Sequence, residues 1–213
     1  MITSKLAKVF SIILHPLLMP LYATWIILNT GSYLSFSTSP ILQKFIYFVV
    51  FISTTLLPSL GAWLLMKNGK INSLEMPERT ERNLPFIITL LCYVASVYLL
   101  FNMPIPRIFA YMVAGGLLAI IWAFIINLKW KVSIHMMGIG GLMGLMLGYA
   151  LLFHVNMIFI LIMISSLAGI LGWARLKREA HTPAQVYVGF VGGFFIELFY
   201  IWFVVKEIIL SSI

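Results

Sequence analysis

The sequence predicts an all-α fold: a polytopic integral membrane bundle of about seven transmembrane helices in a single domain, residues 1–213. Three observations carry this. Of the 213 residues 62% are hydrophobic and only 9% charged, where a soluble domain carries roughly a quarter charged residues. Apolar runs long enough to cross the hydrocarbon core, about 20 residues each, recur seven times. The basic residues gather in alternate connections between those runs, as they do when helices cross a membrane back and forth.

The first predicted span, 9–29, follows Lys5 and Lys8 and is expected to bend at His15-Pro16. It is too long, and lacks the small-residue site, for a cleaved secretory leader, so it is expected to persist as a helix. The second covers 45–66. The third, 86–103, opens at Pro85, a residue suited to a first helical turn. The fourth covers 108–128. The fifth and sixth, 132–153 and 155–173, form a hairpin turning at His154. The seventh, 184–205, is opened by Thr182-Pro183-Ala184-Gln185, a capping box with proline at the first helical position. Gly140, Gly144 and Gly148 make one small-residue stripe along the fifth span, and Gly189 with Gly193 repeats it on the seventh. Such stripes let helices approach closely, here pressing the span that bears His135 against a neighbour.

Alternation of the spans puts the N-terminus and the loops 67–85, 129–131 and 175–183 on one side. Lys5, Lys8, Lys67, Lys70, Arg79, Arg82, Lys129, Lys131, Arg175, Lys177 and Arg178 lie there, 11 of the 14 cations, leaving Lys44, Arg107 and Lys206 for the other. By the positive-inside rule this face is expected to be cytoplasmic, in a bacterial inner (plasma) membrane. The cations are too dispersed for nucleic acid.

All six acids are Glu. Without Asp, the Asp-rich motifs that hold Mg²⁺ in prenyltransferases, EF-hand loops and Asp-dependent triads are excluded. Cys92, the single cysteine, lies in an apolar run and suits a small hydrophobe. A phosphate site needs fixed cations and hydrogen-bond donors, with a nucleophile and proton donor for chemistry. Three loops on the basic face offer these. The first runs from Lys70 through Arg79 and Arg82 to Pro85; the second is Lys131-Val-Ser133-Ile-His135; the third is Arg175-Leu-Lys-Arg-Glu-Ala-His181-Thr-Pro-Ala-Gln185. The same residues also admit a plain structural reading, with Ser133 and Thr182 as helix caps and the cations as interfacial anchors.

These loops resemble the motifs of the type 2 phosphatidic acid phosphatase superfamily, the integral-membrane lipid phosphate phosphatases, over about residues 67–193. That family reads K-x6-R-P, P-S-G-H and S-R-x5-H-x3-D. Arg175, His181 and Gln185 keep the third spacing, with Gln for Asp; Ser133 and His135 keep part of the second. Lys70, Arg79 and Arg82 match the first in type and place, with eight residues between Lys70 and Arg79. The resemblance implies a six-helix phosphatase-like core and metal-independent hydrolysis of a lipid phosphomonoester or a prenyl (pyro)phosphate, without cofactor. His181 would form a phosphohistidine, Gln185 would orient it, and His135 would be acid and then base. Lys70, Arg79, Arg82, Ser133 and Arg175 would hold the phosphate oxygens. Glu179 offers a charge near His181 that Gln185 lacks. The alternatives are a non-hydrolytic lipid-phosphate binder, carrier or assembly protein, and a lipid phosphotransferase.

Two further groups stand out. Glu197 lies inside the seventh span, where an ionisable side chain is a functional candidate by default; it is about 20 Å along the helix from His181, too far to join its chemistry. Its plain reading is a Glu bonded to a polar group on an adjacent helix. His15 and His154 read as a bend and a turn.

Overall fold

The computed structural model describes residues 2–31 and 33–207. Among these described residues, seven helical spans are long and apolar enough to cross a membrane: Thr3–Asn29, Pro40–Lys67, Thr80–Phe101, Ile108–Asn127, Ile134–Phe153, Ile158–Lys177 and Pro183–Val205. The chain is therefore an all-α bundle of the integral membrane kind. A closed set of helices suits the bilayer because each satisfies its own backbone groups. No strand occurs among the described residues.

The first span breaks at the expected place. A helix Ile2–Ile13 gives way to a single 3₁₀ turn, Pro16–Leu18, before Met19–Asn29 continues. Pro16 has no N–H to give, and His15 caps the new turn by accepting the Leu17 N–H on Nδ1 (3.3 Å). Thr55 of the second span donates to the Leu17 carbonyl (2.7 Å), tying the bend to its neighbour. The other hydroxyls buried in the spans, such as Thr24, Thr54 and Ser96, return to carbonyls one turn earlier.

Some boundaries differ from expectation. The second span starts at Pro40, where Ser39 caps it by accepting the Leu42 N–H and Gln43 donates back to the Ser35 and Thr38 carbonyls. The sixth continues to Lys177, so Arg175 stands on its last turn and not in a loop. Between the fifth and sixth, His154 takes a left-handed conformation (φ 52°) and closes the helix as Gly commonly does.

The fifth span is the most buried of the seven and packs most extensively on the seventh. The two glycine stripes face each other. A Cβ at Gly144 would overlap the Phe194 carbonyl oxygen, and one at Gly193 would overlap that of Met137. Backbone therefore lies on backbone, which fixes the height of one helix against the other. The start of the fifth span is also joined to the start of the seventh, because the Ser133 N–H donates to the Gln185 carbonyl (3.2 Å). The loops bearing His135 and His181 are held side by side by this pairing.

Candidate functional site

Beneath the basic loops a cavity of 590 Å³ opens among the first five spans, with Arg175 of the sixth and Glu197 of the seventh also on its wall. Its mouth carries Arg82, Lys131, His135, Arg175 and His181, and its far end reaches Glu197. The volume falls within the usual range for a small-molecule site. The polar groups of the mouth come from sequence segments far apart, and several are buried.

His181 stands just before the seventh span, 7% exposed. Its Nδ1 lies 3.0 Å from Gln185 Oε1. The same oxygen accepts the Thr182 N–H (3.2 Å), while the Gln185 N–H donates to Thr182 Oγ1. An N–H can only donate, so the atom between Thr182 and His181 is the amide oxygen. His181 must then carry its hydrogen on Nδ1. The capping box and the orientation of His181 are thus one arrangement served by one oxygen. Nε2 keeps its lone pair, is buried, and has no partner. Burial, then the Arg82 guanidinium with smaller contributions from Arg175 and Lys131, push the His181 pKa down to about 3 against the opposing bond from Gln185. The ring is neutral at physiological pH.

His135 sits on the first turn of the fifth span. Its Nε2 lies 3.1 Å from the Ser11 carbonyl, which can only accept, so Nε2 carries the hydrogen. Nδ1 is buried and unpartnered. Arg175 donates from Nη1 to Ser11 Oγ (3.3 Å), and its Nε has no partner. Ser11 in turn donates to the Ala7 carbonyl (2.9 Å). A single residue of the first span therefore orders both His135 and Arg175. His15, one turn further on, meets His135 edge to face with ring centroids 5.2 Å apart.

Arg82 is 5% exposed and makes two bonds to backbone, from Nε to Met76 O and from Nη1 to Val132 O (both 3.2 Å), while lining the mouth. Lys131 donates to Pro77 O (2.9 Å). Burial and the neighbouring guanidinium groups of Arg82 and Arg175 lower the Lys131 pKa, and Glu78 works against that. At the rim, Arg178 pairs with Glu75 (2.6 Å).

Three expected phosphate ligands are placed elsewhere. Lys70 is exposed and does not line the cavity; it follows a left-handed Gly69 (φ 67°) just past the end of the second span. Arg79 closes the fourth span: its Nη1 donates to the carbonyls of Asn127 and Leu128, and Asn127 answers from Nδ2 to Arg79 O (2.9 Å). An arginine there satisfies terminal carbonyls and suits the negative end of the helix dipole. Ser133 is fully buried, does not line the cavity, and makes no cap bond through its hydroxyl, which has no partner. Glu179 is exposed in a left-handed turn (φ 51°) and gives no side-chain bond to His181; Gln185 alone holds that ring.

Ser11 and His15 line the cavity although motif spacing does not point to them, and Lys131, which opens the second basic loop, lines it with them. A signal for the first two exists. Lys8, Ser11 and His15 recur at i, i+3 and i+7, one face of a helix, and all three line the cavity. Among the described residues no group of three His, Cys, Asp or Glu side chains could hold a metal ion. Comparison with family models, with curated proteins and with solved structures finds no match for this chain.

Proposed function

We propose that the protein is a lipid phosphate phosphatase-like membrane protein that binds a lipid phosphomonoester or pyrophosphate at the cationic mouth and hydrolyses it through a phosphohistidine. The observation that carries the reading is the bare, buried Nε2 of His181, presented among Arg82, Lys131 and Arg175 while Nδ1–H is held by Gln185. A neutral imidazole with one free lone pair is the form that attacks phosphorus, and the cations match the phosphate oxygens.

In the proposed cycle His181 Nε2 forms a bond to phosphorus and the bond from phosphorus to the lipid oxygen breaks. The phosphate arrives as a monoanion; its proton passes to the bare Nδ1 of His135, whose Nε2–H stays on the Ser11 carbonyl, and from there to that oxygen. Neutral His135 then takes a proton from water. The water oxygen bonds to phosphorus, the phosphorus–nitrogen bond breaks, His135 returns its proton to the departing orthophosphate, and both rings are neutral again. Arg175 and Arg82 stabilise the charge spread over the non-bridging oxygens. The scheme uses no metal and no cofactor. The lipid tail stays in the apolar part of the cavity or in the surrounding bilayer. Positive-inside bias supports a mouth at the cytoplasmic face of a plasma membrane.

The test is phosphate release by the detergent-purified chain from lipid monophosphates and prenyl pyrophosphates, with chelator present. Release abolished by His181→Ala supports the reading; undiminished turnover by that variant overturns it. A second reading is favoured by the uncharged Gln185: saturable lipid-phosphate binding without turnover. It predicts binding weakened by Arg175→Ala and no released phosphate. Sidedness is checked by labelling cysteines introduced at Lys70 and at Ser39, with the first expected to be reached only from the cytoplasmic side.

A further inference from the structure

The cationic groups account for one end of the cavity, and Glu197 forms the other. This carboxyl is 5% exposed, it lines the cavity, and its Oε2 has no hydrogen-bond partner. The expected bond to a polar group on an adjacent helix is not made. The neighbours instead clear space for it. A Cβ at Gly115 would overlap the carboxyl, one at Gly116 would meet the Tyr93 ring at 3.2 Å, and one at Gly141 would touch Glu197 Cγ at 3.4 Å. Two spans thus give up side chains where the seventh projects an acid, and Tyr93 closes the same wall.

From Pro183 to Glu197 the helix rises about 21 Å at 1.5 Å per residue. His181 and Glu197 both line this one cavity, which therefore reaches from the mouth to that depth and can take a chain. A bare hydrocarbon chain reaching the end would leave the carboxyl dehydrated and unpaired, which is costly. A chain bearing a hydrogen-bond donor at that depth would satisfy it.

We infer that the floor of the cavity, built by Glu197 over Gly115, Gly116 and Gly141, is a second recognition site. It takes a hydrogen-bond donor, hydroxyl or ammonium, carried on the apolar portion of the substrate roughly 20 Å from its phosphate. The inference rests on the lipid-phosphate reading of the mouth and adds a substrate class to it: amphiphiles polar at both ends of a chain. Sites built to bond a polar group reject analogues that lack it.

The experiment measures binding to the purified full-length chain of two probe series of graded length, plain alkyl phosphates and ω-hydroxyalkyl phosphates. Among chains long enough to reach Glu197, the hydroxyl series is expected to bind roughly 10- to 100-fold tighter. Shorter members are expected to bind equally. Glu197→Leu removes the preference and keeps the short chains; Glu197→Gln, still an acceptor, retains most of it. If both series bind the wild-type chain with equal affinity at every length, this inference fails alone. If neither series binds at any length, the reading of the mouth fails and takes this inference with it.

Discussion

Two stretches of the basic face carry the same kinds of residue and do different work. In the loop 68–82, Arg79 closes the end of the fourth span and Lys70 stands exposed. In the segments 131–135 and 175–185, His135, Arg175 and His181 each keep one buried polar atom without a partner. Buried polar groups are nearly always paired. Glu81, Asn127 and Ser133 also keep an unpartnered buried atom, but they do not line the cavity, whereas His135, Arg175 and His181 do, which supports the proposed binding site. Arg79, bonded to helix-end carbonyls, and Lys70, outside the cavity, are read as scaffold, however much they resemble phosphate ligands. Arg82 lies between the two classes, with two bonds to carbonyls and a place on the cavity wall.

The largest expected effect falls on the side with unpaired atoms. His181→Ala should lower phosphate release by roughly 10³-fold or more, as loss of a nucleophile does, with the fold checked by thermal unfolding. Next comes Arg175→Ala, expected to weaken lipid-phosphate binding roughly 10- to 100-fold through loss of a charge-assisted bond; Arg175→Lys recovers only part of it, because a point charge cannot reproduce the guanidinium fork. Saturation binding reads both.

Gln185→Glu sharpens the same contrast from the opposite direction. Glutamate also serves in a capping box, so both bonds accepted by Oε1 are kept while a negative charge is added behind His181. Turnover should rise by about tenfold or more, given that an Asp-to-amide change in the equivalent role costs a serine protease roughly 10⁴-fold. A fall in turnover with the fold intact would show that the amide, not its missing charge, is what the site requires.

The scaffold side predicts the reverse pattern. Arg79→Ala should cost about 1–2 kcal/mol of stability by freeing two helix-end carbonyls, while the affinity for lipid phosphate at saturation is unchanged. Lys70→Ala, in an exposed position, should alter stability by less than about 0.5 kcal/mol and leave binding alone. A large loss of affinity in either variant would erase the distinction between the two stretches.

Protonation gives the last contrast. His181 is neutral in the folded chain down to about pH 3, whereas an unfolded histidine takes up a proton near pH 6.5. Between those values the unfolded state binds more protons, so the contribution of this ring to stability is intact above about pH 6.5 and is lost as pH falls toward 3. Unfolding at a series of pH values should show a shallower acid loss in His181→Phe than in the wild type.

Much of the fold is legible in the sequence, because hydropathy and the positions of Pro and Gly speak directly to a helix in a bilayer. The seven spans, the bend at His15-Pro16, the turn at His154 and the facing glycine stripes can all be read this way. The site is legible only where residues lie close along the chain. The four-residue step from His181 to Gln185 places one ring against one amide within a helical turn, and spacing finds it. Lys70 and Arg79 mislead because residue type does not say which acceptor a long cation reaches, and for Arg79 the acceptors are carbonyls of residues 127 and 128, nearly fifty positions away. Ser11 and His15 belong to the first span, outside the motif-bearing stretch, and their role appears only once that span packs against the sixth and fifth. Glu197 reads as an acid in search of a partner on a neighbouring helix; the fold places glycines there.

The proposed hydrolysis depends on the Nε2 nitrogen of His181 acting as nucleophile. The purified chain should therefore be mixed with a ³²P-labelled lipid phosphate, quenched in alkali, and digested for peptide mapping. An alkali-stable, acid-labile phosphate on the peptide holding His181, absent from His181→Ala and accumulating in His135→Ala, is the predicted result. Phosphate released at the wild-type rate with no label on His181 in either protein would contradict it.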